Sequence, residues 1–160
     1  DWTTYLGVTN RGLFFVAFTI ASVAIRFFSG KLSDQYGRVP VMQWGLAILI
    51  VSMGMLAWGS SPAWLIAGAA VYGVGAGILS PAVNAWTIDL SHPQHRGKAM
   101  ATMYIALEAG IGLGALIAGW IYHDVIAHIP YIFFGTMVVA VAALVYLWNY
   151  RPRPAAGHPS

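Results

Sequence analysis

The chain has 160 residues, 59% of them hydrophobic and 8% charged, with a formal net charge of +3 and a mean hydropathy of +0.69. A water-soluble domain needs roughly a quarter of its residues charged to cover its surface, so this composition excludes one and hands most of the surface to lipid. Cysteine is absent, which excludes disulfides and thiolate metal sites, and so small a positive excess points to loops on one side of a membrane rather than to nucleic-acid binding.

Asp1 is neither an initiator Met nor the start of a signal peptide, so the sequence reads as beginning in mid-protein. Five apolar stretches follow, over residues 12–29, 41–58, 63–88, 99–122 and 129–148. Each has about the 20 residues that a helix needs to cross a hydrocarbon core. Membrane β-strands would alternate in polarity, and these stretches do not. The expected fold is an all-α integral membrane bundle with five transmembrane helices over residues 1–150. The Pro- and Gly-containing tail, 151–160, is expected to be disordered.

The joins set the orientation. One alternate set of loops holds Lys31, Arg38, Arg96, Lys98, Arg151 and Arg153; the other holds only Arg11. The positive-inside rule makes the first set cytoplasmic, with the tail inside and the beginning of the chain outside. An odd number of crossings is required, and five satisfies it. Trp58, Trp64, Trp120, Tyr122, Trp148 and Tyr150 gather at span ends, where an interfacial belt belongs.

The first join reads Gly30-Lys31-Leu32-Ser33-Asp34-Gln35-Tyr36-Gly37-Arg38-Val39. Gly30 and Gly37 suit a tight reversal and close helix approach, where a side chain would collide. Asp34 is a carboxylate for a neighbouring helix N-terminus, and Arg38 is a forked donor suited to carboxylates. The stretch resembles the signature loop of the major facilitator superfamily: Gly30, Leu32, Ser33, Asp34, Gly37 and Arg38 match, while Gln35 and Val39 depart. The resemblance implies that the loop joins the second and third helices of a six-helix half, on the cytoplasmic side, and latches the outward-facing state. Asp89 and the start of the fourth helix at Arg96-Gly97 are the expected partners. Arg26, one turn before the loop, is expected to snorkel to the interface or to join this charge cluster or an anion.

The third stretch carries Gly73, Gly75 and Gly77, and the fourth Gly110, Gly112, Gly114 and Gly119. No strand precedes either set, so neither is a nucleotide-binding loop; both are read as packing residues that let membrane helices approach. Within the resemblance, the lack of an intramembrane Arg before Gly73 and the relaxed signature place the five helices as eight to twelve, in the C-terminal half. Pro62, after Gly59-Ser60-Ser61, is placed to open a helix.

Glu108 sits about ten residues into the fourth stretch. An acid at that depth is costly unless neutral, paired or facing a cavity, so it is the candidate for substrate binding or proton carriage; the bland reading is an acid buried between helices for packing. Tyr104, one turn earlier, shares its face, and Asn84 could line the same cavity, while Trp86 reads as either a cavity or a packing residue. His92 and His95 flank Pro93 in a polar loop expected over Leu90–Lys98, and His123, Asp124 and His128 lie in another; neither set is expected to bind metal.

The function these features imply is that of a secondary active transporter moving a small solute by alternating access, without a cofactor. The resemblance adds proton-coupled efflux from the cytoplasm across the inner membrane. The rival readings are a substrate–proton symporter, a non-transporting membrane scaffold or sensor, and an integral membrane enzyme, for which no nucleophile-and-base constellation is present. The lipid bilayer and the N-terminal half of the same transporter are the expected partners; five helices by themselves should not enclose a transport site.

Overall fold

The computed structural model describes residues 12–59, 61–122 and 128–150. They form five long helices: α1 Gly12–Tyr36, α2 Arg38–Ala57, α3 Pro62–Leu90, α4 Arg96–Tyr122 and α5 Ile129–Asn149, with a short 3-10 turn at Pro93–His95. All five carry an eighteen-residue window with mean hydropathy between 1.6 and 2.1. At about 1.5 Å per residue even α2 is long enough to span a hydrocarbon core. No strand occurs among the described residues. Arg11, His123, Asp124, Arg151, Arg153 and the expected tail 151–160 lie outside them.

The joins are tighter than the sequence suggested. α1 does not stop near Ser29 but continues through the signature stretch to Tyr36, so Gly37 alone separates it from α2. Polar side chains end a membrane span without ending a helix, and nothing between Gly30 and Tyr36 forbids helical backbone. Gly37 does end it: its φ of +89° is open to glycine and strained for other residues. Gly30, by contrast, is an ordinary helical position, and a Cβ there would meet nothing within 4 Å; the expected collision does not occur. Likewise the polar loop after α3 shrinks to Ser91–His95. At the opposite end of the bundle, Ser61 caps α3 by accepting from the Trp64 amide, with Pro62 at the first helical position.

α3 is the centre of the bundle, packed on one side by α1 and on another by α2, with α5 behind α2. Its glycines serve both neighbours. A Cβ at Gly73 would overlap the Phe18 carbonyl of α1, and one at Gly77 would overlap Ile25 and approach the Ser22 carbonyl to 2.7 Å. On the α2 side, a Cβ at Gly75 would come within 2.9 Å of Leu49 and one at Gly68 within 2.9 Å of Leu56. Lipid tails are as apolar as leucine, so helices gain by close contact and by interhelical hydrogen bonds. Buried Ser52 supplies one, donating to the Gly68 carbonyl at 3.0 Å. Val41, Met42, Leu46, Ile78, Ala82 and Leu147 form the principal core where α2, α3 and α5 meet.

α4 departs from this pattern. None of its residues is buried, and a Cβ at Gly110, Gly112, Gly114 or Gly119 would touch nothing within 4 Å. The α4 glycines therefore do not act as packing residues among the described helices, because α4 meets chiefly α3 and α5, each along an edge. Gly110 and Gly114 instead open onto an apolar cleft of about 430 Å³ shared with Ile132 and Gly135 of α5.

Candidate functional site

Two places gather the chemistry singled out in the sequence. The first lies at the Gly37 end of the bundle. Because α1 is helical through Asp34 and α2 opens at Arg38, the two side chains stand on either side of the Gly37 break. The Arg38 guanidinium donates through Nη1 to Asp34 Oδ1 at 2.6 Å and to Ser33 Oγ at 3.1 Å, and through Nε to Asp89 Oδ2 at 2.8 Å. One fork thus joins α1, α2 and α3, using the planar, multi-donor geometry that lysine lacks. Ser33 is almost fully buried beneath it, whereas Asp34 and Asp89 are 69% and 51% exposed. Exposure of that order keeps each pair weak as a source of stability.

Of the other residues expected here, Leu32 packs against the principal core. The Asp34 carboxylate meets Arg38 rather than a helix N-terminus. Arg96 is exposed at the start of α4 and joins no ion pair among the described residues, and a Cβ at Gly97 would meet nothing within 4 Å, so the α4 end of the expected cluster is missing. Arg26 is exposed on α1, two turns from Asp34, and its side chain stays out of the cluster. Gln43, one turn and a half into α2, donates to the Leu147 carbonyl at 3.1 Å and fixes the last turn of α5 beside this end.

The second place is a cleft of about 270 Å³ between α3 and α4. Asn84 and Tyr104 both line it, together with Tyr72, Ser80 and Leu107. Tyr72, Ala76, Ser80 and Asn84 recur every fourth residue, one row along the α3 surface. Tyr72 and Ser80 were not singled out in the sequence; the four-residue row ending at Asn84 was the signal that could have found them. Glu108 lies one turn beyond Tyr104 but outside the cleft lining, exposed and without an ion pair among the described residues. Among the described residues no helix covers Glu108. Trp86 is a packing residue, half-buried against the core with its ring edge-on to Tyr150 at 5.3 Å.

The His92 and His95 rings stand 5.8 Å apart, and His92 Nδ1 accepts the Gln94 amide. His128 bonds through Nδ1 to the Ile121 carbonyl at 2.9 Å.

Five membrane-length helices with a three-helix ion-pair junction at one end define a multi-pass α-helical membrane protein. Residues 3–160 match the Major Facilitator Superfamily, and the chain belongs to that family. It is 31% identical over 146 residues to the MFS-type transporter TwmF of Talaromyces wortmannii, covering 91% of this chain and 25% of that protein. With the quinolone resistance protein NorA of Staphylococcus aureus it shares 29% identity over 150 residues, covering 92% of this chain and 38% of NorA. The chain thus spans well under half the length of these relatives.

Proposed function

We propose that the complete protein containing this chain is a secondary active transporter that exports a small, drug-like solute in exchange for protons by alternating access. The observation that carries the reading is the Arg38 junction. A cation that binds a carboxylate on α1 and another on α3 ties the signature ends of three helices together, which supports a latch role, and its partly exposed partners would let such a latch open at small cost. This end carries Lys31, Arg38, Arg96 and Lys98, so the positive-inside rule makes it cytoplasmic. A latch there favours the outward-facing state. The family supplies the transport class, and the similarity to NorA, a quinolone resistance protein by name, supports a drug-like cargo. The α3/α4 cleft is the substrate-binding candidate, and Glu108 the proton carrier.

Proton release from everted vesicles holding the complete protein tests this. Adding substrate should dissipate a preformed pH gradient, and Arg38→Ala should abolish that response while the protein still inserts. A substrate response that persists in Arg38→Ala sinks the latch; no substrate-dependent proton movement by the unaltered protein favours a scaffold or sensor instead.

A further inference from the structure

We infer that the α3/α4 cleft binds the uncharged, planar aromatic part of its ligand, and that Asn84 and Ser80 select it by hydrogen bonding rather than by charge. The inference rests on the cleft being the substrate site of the transporter proposed above, and it assigns that site a chemistry.

The first observation is what the polar side chains of the cleft leave undone. Elsewhere on these helices hydroxyls and amides turn back on their own backbone: Thr87, Thr102 and Asn149 each donate to the carbonyl four residues earlier at 2.9 Å. Ser80 and Asn84 have the same carbonyls within reach of their own helix, yet neither they nor the Tyr72 and Tyr104 hydroxyls engage a hydrogen-bond partner among the described residues. An unpartnered polar group in apolar surroundings is costly. Three of them on the α3 wall and Tyr104 on the facing α4 wall form a set that a ligand completes.

The second observation is what the lining lacks. Its remaining members are aliphatic or thioether side chains, and among the described residues it is lined by no carboxylate, guanidinium or amine. Glu108, the acid nearest in sequence, stands outside. A cation entering this cleft would give up water without gaining a counter-charge, a poor exchange at membrane depth. A flat uncharged ring loses nothing of the kind. It can lie against the Tyr72 and Tyr104 rings, where offset or edge-on contacts add to burial, and present a carbonyl and an N–H to Asn84, whose amide both donates and accepts. At about 270 Å³ the cleft is just under the usual range for ligand pockets, roughly 300 Å³ and upward, which suits two or three fused rings.

The test compares two fluorescent probes of nearly equal size on the purified complete protein at pH 8: acridone, uncharged with a carbonyl and an N–H, and the 10-methylacridinium cation. Acridone should bind at least about tenfold more tightly, and Asn84→Leu should remove that advantage. Asn84→Asp should turn the preference over towards the cation, a gain that misfolding cannot imitate. Equal or tighter binding of 10-methylacridinium by the unaltered protein overturns the inference, as does an Asn84→Asp variant with unchanged preference. The transport reading is judged separately by proton movement: acridone selectivity without transport would sink that reading and leave this one standing, and proton-driven transport with cation preference would do the reverse.

Discussion

Arg38 and Asp89 lie 51 positions apart in the chain and meet at 2.8 Å, across the junction of α2 with α3. The same guanidinium holds Asp34 at 2.6 Å from the far side of Gly37. Three helices therefore share one cation at their charged end, and the consequences of disturbing it can be separated from those of disturbing the packing.

Asp89→Asn keeps the shape of the side chain and removes its charge. With Asp89 half exposed, the loss of folding stability should stay below about 1 kcal/mol. Substrate flux in vesicles should nevertheless fall, by up to about fivefold, since up to about 1 kcal/mol lost from the closed state shifts its population by that factor. A thermal shift of several degrees with normal flux would contradict this division.

Two glycines of the signature stretch should respond in opposite ways to alanine. Gly37→Ala forces a side chain onto a φ of +89° and should destabilise by about 1–3 kcal/mol. Gly30→Ala meets nothing within 4 Å in mid-helix and should be neutral or stabilising by about 0.5–1 kcal/mol. Thermal unfolding in detergent reads both.

Gly77→Ala should disrupt the α1–α3 contact, because the added carbon would overlap Ile25 and crowd the Ser22 carbonyl of the facing helix. A backbone atom cannot swing aside as a long side chain can, so the helices must part. The variant should lose at least about 1–3 kcal/mol and show cross-linking between cysteines placed at positions 18 and 72, which face each other across α1 and α3, diminished relative to Gly68→Ala, which meets only Leu56 and Met55 side-chain atoms.

Glu108→Gln mimics a permanently protonated acid of nearly the same volume. If Glu108 carries the proton, the variant should exchange substrate across the membrane at equilibrium yet lose concentrative transport and its dependence on the pH gradient. Measuring both modes in proteoliposomes decides it: pH-driven accumulation at the unaltered rate removes Glu108 from the mechanism.

The sequence made the membrane class and the Arg38–Asp34–Asp89 junction legible for plain reasons. Apolar runs of span length have few alternatives in water, and the charged residues that remain must collect at span ends. What it concealed was where helices stop and which faces meet. Lys31 to Gln35 read as a loop because they are polar, yet α1 passes through them to Gly37; polarity reports the edge of the lipid, not the edge of a helix. Gly73 and Gly112 looked equivalent, but among the described residues only the first has a helix against it. Spacing along one helix carries no information about its neighbour. For the same reason Ser80, an unremarked hydroxyl beside Pro81, became visible as part of a cleft only when Tyr104 was placed opposite.

The one-residue join at Gly37 also imposes a register. α1 and α2 are rigid rods of about 37 Å and 30 Å whose mutual direction depends on just two soft torsions. Adding a single amino acid to α2 between Arg38 and Val41 would turn Arg38 by about 100° around the rod relative to the buried Val41–Met42 edge, swinging the guanidinium away from Asp89. Chain length at this corner is consequently as constrained as residue identity, and a segment lying at the polar surface of the bundle is closed to the insertions and deletions that surface segments ordinarily accept.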